Sequence, residues 1–325
     1  MREYGGYLPL DSCGREYYCD TENYEVVRMN AARYAIVMAA KDYNAKKVWI
    51  PVYTCNSVYD ALESAGITYD TYNIDHNFQP IEVSLAEREM ILVTNYFGLY
   101  TRDIYDQFIK KYNAIIFDNT QSFFDDPIIK EHIYNIYSPR KFFGVSDGAY
   151  LITKHMCMRK TLKQDVSSER AKYIFRVIEN NTNSLYSEYL KSEDDISASG
   201  AREMSKLTKH ILQNINYEYI REKRVNNFKY MNRLLKPYNL YQIDKIGKCP
   251  MIYPFVFEDS TGELRKYLIA NKIYIPQWWK WVLDNEKSNE WEKLLSNSLF
   301  PLPIDQRYDY EDMEYICNII MTNFR

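Results

Sequence analysis

Residues 114–153 read AIIFDNTQSFFDDPIIKEHIYNIYSPRKFFGVSDGAYLIT. The run Ala114–Phe117 is short and apolar, as a strand covered on both faces requires, and it ends in Asp118, Asn119, Thr120 and Gln121. A carboxylate at the mouth of such a strand is costly unless a positive group meets it. The plain alternative is that Asp118 caps the following turn. Further on, Lys141 stands two residues after Pro139 and beside aromatic residues, and Gly144, Gly148 and then an apolar strand follow. Enclosure among apolar rings disfavours an ammonium and lowers its pKa, which is what an amine nucleophile needs. Many lysines beside aromatics bury only their stems, so the lysine alone decides nothing.

Working outward, the preceding chain alternates strand and helix. NAARYAIVMAAKDYNA (30–45) carries good helix formers behind Asn30, a candidate N-cap. KKVWIPVY (46–53) reads as a strand ending near a proline, SVYDALESAG (57–66) as a helix stopped by Gly66, and ITYDTYNI (67–74) and MILVTNYFG (90–98) as further strands. RDIYDQFIKKYN (102–113) is amphipathic and helical. This β-α-β order predicts an α/β fold with a mostly parallel sheet flanked by helices. Ligands of such sheets bind beyond the carboxyl ends of the strands, which singles out Tyr53-Thr54, Asn95-Tyr96 and Asp118 to Gln121. From about 160 to 235 the chain is helical and charged, with a long helix expected from near Ser205. The remainder mixes a strand (MIYPFVFE), a helix (STGELRKYLIANK), a short strand (IYIP), tryptophan-rich helical stretches and a last helix from Tyr310. A large α/β domain over 1–205 and a smaller α+β C-terminal domain over 206–325 is the expected division.

Composition narrows the functional classes. The 325 residues include 41 basic and 44 acidic side chains, mixed along the chain to a net charge of -3, which favours neither nucleic acid nor an anionic membrane. Cys13, Cys19, Cys55, Cys157, Cys249 and Cys317 are scattered, without metal or redox spacing, and no segment has the length of a signal or membrane span. A soluble, cytoplasmic protein is the expectation. His76, His132, His155 and His210 lack the spacing of a metal site or a triad. The 32 tyrosines suggest half-buried rings and an aromatic-lined cleft, or simply a compositional bias.

Taken together, these segments resemble the sugar aminotransferases of the DegT/DnrJ/EryC1/StrS family, a branch of the fold-type-I enzymes that use pyridoxal 5′-phosphate (PLP). Asp118-Asn119-Thr120-Gln121-Ser122 resembles the family's aspartate-to-glutamine segment, and SPRKFFGVSDGAYL its lysine segment. VWIPVYTCNSVYDALESAGI is similar to its proline-containing strand and next helix, NYFG to its aromatic-glycine turn, and LFPLPIDQRY to its C-terminal leucine-proline segment. The landmarks run from about residue 25 to 310 in family order.

The resemblance implies roles. Lys141 would hold PLP through a Schiff base and move a proton during catalysis. Asp118 would pair with the pyridinium nitrogen, Gln121 would meet the ring hydroxyl, and Tyr53, or else Cys55, would lie against the ring. The helix start at Asn30, with the amides of Ala31 and Ala32, would meet the phosphate together with Ser138. The implied activity moves an amino group, with glutamate as donor, onto a nucleotide-linked keto-sugar in amino-sugar biosynthesis, such as that of cell-surface polysaccharides, in a homodimer. Small molecules are the expected partners. A PLP enzyme of another carbonyl substrate and a non-catalytic PLP-binding homologue are the alternatives. Dehydrating members carry histidine in place of the lysine.

Some positions depart from the pattern. The family's serine five residues before the lysine is Ile136 here, and the asparagine sent across the dimer interface would fall near Ala201, with Arg202, Asn181 or Asn183 as substitutes. The chain is also shorter than typical members of the family, and the resemblance places the shortening between about 155 and 200, where the family's substrate pocket is partly built. Trp278 and Trp279 could stack on a sugar or base, although tryptophans are more often core. Arg307 could bind a substrate anion or form a structural ion pair.

Overall fold

The structure, a computed structural model, describes residues 7–158, 161–180, 182–259 and 262–322. In chain order the strands are β1 (Glu25–Met29), β2 (Lys47–Pro51), β3 (Tyr69–Tyr72), β4 (Glu89–Thr94), β5 (Ile115–Asp118), β6 (Ile133–Tyr137), β7 (Ala149–Thr153), β8 (Tyr253–Val256) and β9 (Leu299–Leu302). The helices are α1 (Ala32–Asp42), α2 (Asn56–Ser64), α3 (Arg102–Lys111), α4 (Lys172–Glu179), α5 (Tyr186–Ser199), α6 (Lys206–Leu212), α7 (Tyr217–Leu235), α8 (Glu263–Ala270), α9 (Glu290–Ser298) and α10 (Tyr310–Thr322). The first seven strands make one sheet in the order β1-β7-β6-β5-β4-β2-β3, and β8 and β9 form a separate antiparallel pair. Strands β6, β5, β4, β2 and β3 run parallel, while β7 is antiparallel to both β6 and β1.

The alternation of side chains along the central strands divides the core into two layers. Met90, Leu92 and Ile116 face α1 and α2, where they meet Ala35, Ile36, Ala39, Val58 and Leu62. Ile91, Val93, Ile115 and Phe117 face the other way, toward Tyr105 and Phe108 of α3. That second layer continues into Phe228 and Met231 of α7, Phe255 of β8, Phe300 of β9 and Met313 and Ile316 of α10. The C-terminal elements therefore share a core with the sheet.

Several expectations need correction. Helix α1 starts at Ala32 with Ala31 as its cap, and no side chain caps it. Asn30 is occupied elsewhere, as described below. Strand β1 precedes the first element read from the sequence, and it pairs antiparallel with β7. The long helix expected from Ser205 is two: Ser205 caps the short α6, and α7 begins after a break, capped by Asn216. Residues 273–276, IYIP, form no strand. Many tyrosines are fully buried rather than half-buried, and their hydroxyls reach backbone carbonyls: Tyr72 to Leu92 at 2.6 Å, Tyr96 to Tyr53 at 2.6 Å and Tyr100 to Phe78 at 2.6 Å.

The segment after β5 is held by a buried polar cluster. Asn95 Nδ2 donates to Tyr105 Oη at 2.8 Å and to Asp125 Oδ2 at 2.9 Å, and the Lys248 amide donates to Asp125 Oδ1 at 3.1 Å. The Tyr105 hydroxyl lies 2.7 Å from Asn119 Oδ1 and 3.1 Å from Asp125 Oδ2. Burial pushes the Asp125 carboxyl up to about 7, against the Lys248 amide, the Tyr105 hydroxyl and the Lys248 charge, while Asp126 adds to the rise. An unfolded aspartate titrates near 3.9, so between about pH 4 and 7 the folded chain binds more protons than the unfolded one. The protonated carboxyl therefore contributes stability that is present at low pH and is lost as pH rises through about 7. Asp125→Asn should flatten this slope, measured as the change in urea midpoint from pH 5 to pH 8. Equal slopes in the two proteins would show that Asp125 does not carry it.

Candidate functional site

The parallel strands β4, β5 and β6 end side by side, and the loops that follow them open on one cleft beside the start of α1. Thr94 ends β4, Asp118 ends β5 with Thr120 and Gln121 just beyond, and Ser138 and Lys141 follow β6; all line this cleft. Other surface clefts, such as that between Tyr100 and Lys248, bring together no such convergence.

Lys141 is carried by a single helical turn, Pro139–Lys141, with proline at its first position. The amides of Phe142 and Phe143 both donate to the Pro139 carbonyl, at 3.0 and 2.8 Å, and lock the turn. Gly148 packs on its far side with φ +126°, where a Cβ would stand 3.0 Å from Pro139 Cγ. The Lys141 ammonium donates to Thr120 Oγ1 at 3.0 Å. Crowding by protein atoms lowers its pKa, Asp118 opposes the shift and Arg140 adds to it. Lys141 still opens onto the cleft, so solvent screens part of this effect.

Asp118 is almost wholly buried, and its Oδ1 accepts the Thr120 amide at 3.0 Å, which leaves Oδ2 for the cleft. Gln121 Oε1 accepts the Phe97 amide at 2.9 Å, so its Nε2 hydrogens remain for a ligand. That contact depends on the NYFG turn, where Phe97 (φ 61°) and Gly98 (φ 78°) are successive left-handed residues. Ser138 is 5% exposed, and its hydroxyl meets no partner among the described residues. At the start of α1 the amides of Ala32 and Arg33 have no helical acceptor, as at any helix N-terminus. The donor set is thus a lysine, a carboxylate, an amide and hydroxyls at one end, and free amides at the other.

Of the residues singled out from the sequence, Lys141, Asp118, Gln121, Ser138, Ala31 and Ala32 lie together in the cleft. Asn30 and Tyr53 do not. The Asn30 side chain donates to Gly200 O at 2.8 Å and accepts the Arg202 amide at 3.1 Å, and its carbonyl accepts the Gly148 amide at 2.7 Å, so it ties the 199–202 segment to the lysine turn. Tyr53 is buried in the core with its ring 4.5 Å from that of Trp279, edge to face. Thr54 and Cys55 reach the cleft instead. Arg202 donates to Ser199 O, Asn181 and the side chain of Asn183 lie outside the described residues, and Arg307 pairs with Asp305 at 2.7 Å.

Sequence reading missed Arg33, Arg140 and Glu193; Thr120, singled out within Asp118 to Gln121, and Trp279, a candidate stacking residue, line the cleft with them. Two of these carried a signal. Arg140 is adjacent to Lys141, and Arg33 sits in the first turn of α1, where a cation opposes the helix dipole and needs another reason to be there.

No protein-family model and no curated protein matches the chain. Solved structures do share its fold. DesV of S. venezuelae in complex with a ketimine intermediate has a TM-score of 0.63 at 13% identity, covering 91% of this chain and 84% of that one. A DegT DnrJ EryC1 StrS aminotransferase from Brucella abortus has a TM-score of 0.63 at 14% identity, covering 92% and 86%. E. coli GDP-4-keto-6-deoxy-D-mannose-3-dehydratase with bound hydrated PLP has a TM-score of 0.62 at 13% identity, covering 91% and 87%. The chain has the fold of these fold-type-I enzymes. The NYFG turn tests how the cleft is held: a Cβ on Gly98 would lie 2.8 Å from Gln121 O and 2.9 Å from Cys249 O. Gly98→Ala should destabilise by roughly 2–4 kcal/mol in thermal or urea unfolding, and an unchanged midpoint would contradict this packing.

Proposed function

We propose that this chain, with the fold of the type-I PLP transferases, is an aminotransferase that binds PLP in the cleft between α1 and Lys141. Its reaction would move an amino group from an amino acid, glutamate first, onto a nucleotide-linked keto-sugar, in the biosynthesis of amino sugars such as those of cell-surface polysaccharides. The observation that carries the reading is the pairing across one cleft of a lysine whose pKa is lowered by crowding with a buried carboxylate that keeps one oxygen free. The sugar draws support from the similar structures, and the homodimeric state from the sequence resemblance alone.

The residues present fit the cofactor. Asp118 Oδ2 suits a protonated ring nitrogen, Gln121 Nε2 suits the ring oxygen, and the free amides of Ala32 and Arg33 with Ser138 Oγ suit a phosphate. When bound, PLP supplies an electron sink for the bond broken at the substrate Cα. Lys141 is the covalent anchor and, once released, the base that carries a proton from Cα. Thr120 Oγ1, which holds the lysine head, sets where that proton is taken and given back. The third similar structure is a dehydratase, which keeps a second reading open, sugar dehydration on the same cofactor. The lysine at 141 favours transfer, because dehydrating relatives carry histidine there.

Supplied with PLP, the purified protein should show an absorbance band near the visible edge, and Lys141→Ala should abolish it with an unchanged circular dichroism spectrum. Adding glutamate should bleach the band in the wild type. The variant should lose transamination by on the order of 10²–10⁴-fold or more. A band that survives in Lys141→Ala would reject the assignment of the lysine, and a band that no amino acid bleaches would reject amino transfer.

A further inference from the structure

We infer that two arginines of the same chain, Arg33 and Arg140, form a clamp for a phosphate dianion at the α1 end of the cleft, and that this clamp supplies most of the affinity for the phosphorylated cofactor. The inference rests on the reading of the cleft as a PLP site. Arg33 leaves the first turn of α1 and Arg140 leaves the turn that carries Lys141, and both line the cleft. They converge on one carboxylate, Glu193 of α5: Arg33 Nη2 lies 4.0 Å from it, and Arg140 is in direct contact with it. An anion thus already sits where the two guanidiniums meet.

Three further observations point to a ligand with more acceptors than that carboxylate. Arg140 Nε is buried and has no hydrogen-bond partner. Ser138, nine-tenths buried, turns an unpartnered hydroxyl into the same space. Two guanidiniums against one carboxylate leave a surplus positive charge, beside Lys141 and the free amides of Ala32 and Arg33. A tetrahedral dianion, with Glu193 turned aside, would offer acceptors to these donors, and guanidinium forks match phosphate oxygens in pairs. The arginines are held ready for it: Arg33 Nη1 donates to Ser197 Oγ at 2.7 Å, and Tyr34 Oη donates to Ser197 O at 3.0 Å, so α5 and Glu193 are fixed over the start of α1.

The test is an equilibrium titration of the full-length protein with PLP and with pyridoxal, which lacks the phosphate, followed by quenching of tryptophan fluorescence. The wild type should prefer PLP by at least about a hundredfold, and Arg33→Gln and Arg140→Gln should each weaken PLP by about ten- to a hundredfold. Pyridoxal binding should stay within about twofold of wild type in Arg33→Gln, whose side chain lies away from the lysine; Arg140→Gln, beside Lys141, is judged by the loss of its preference for PLP over pyridoxal. Arg33→Gln guards against misfolding of the Arg140 variant, whose Nε is buried, and Arg140→Lys should recover part of the loss. If the phosphate preference survives in the double variant, the clamp is wrong. If the wild type binds neither form, the cofactor reading falls. The clamp is then judged by ³¹P NMR titration with inorganic phosphate: binding that both glutamine variants abolish upholds it, and no binding overturns it.

Discussion

The hydrogen bond from Lys141 to Thr120 is the contact around which the cleft is arranged. The two residues lie just beyond neighbouring strands, paired so that Asp118 stands opposite Ile136. Because those strands are parallel, both loops emerge at the same edge of the sheet; antiparallel pairing would send one of them to the opposite edge. Thr120 also donates its amide to Asp118 Oδ1. It therefore stands between the amine and the carboxylate, and among the described residues the two form no direct ion pair. A direct pair would hold the lysine protonated. The spacer lets opposite charges share a cleft without neutralising each other's chemistry.

That spacing needs rigid loops, and the sequence supplies rigidity through buried tyrosines. A loop after a strand carries carbonyls that the ladder no longer pairs, and each needs a donor if it is to leave water. Tyr18 donates at 2.8 Å to the carbonyl of Asp125, and Tyr96 at 2.6 Å to that of Tyr53, while their rings fill the layer beneath. A phenylalanine would fill the space and leave the carbonyl unpaired. The abundance of tyrosine thus has a structural use here: it closes short loops over a sheet end that must stay still.

What could be read from the sequence was local. The strand period, the polar residues just past each strand and the proline before Lys141 depend on neighbours within a few residues; they led to the sheet and marked Asp118, Gln121 and Lys141, whose roles came from the family resemblance. Asn30 and Tyr53 were read by the same local rules and lie elsewhere, for reasons the local sequence does not hold. Asn30 has the chemistry of a helix cap, but residues 199–202 offer it three partners and draw it away. Tyr53 lies one residue short of the positions that reach the cleft, and the pleat turns its ring into the core beneath Trp279. Arg140, Glu193 and Trp279 meet only after helices and loops far apart in sequence have packed. Residues 273–276 have the composition of a strand, yet among the described residues they join neither sheet, and composition without a partner makes no sheet.

The charges in the cleft form one coupled system. Lys141 is lowered by crowding and by Arg140, and raised by Asp118. Arg140 is itself pulled below its ordinary value by burial and by Arg33, with nearby Tyr189 and Tyr173 opposing. A guanidinium keeps its charge at any pH a protein meets, so the strain of two neighbouring cations falls on the group that can lose a proton, the lysine. An anion held between the arginines would relieve that strain through space, to the extent that solvent in the open cleft does not screen it. The position next to Lys141 therefore acts twice, as a donor for an anion and as an adjustment of the amine.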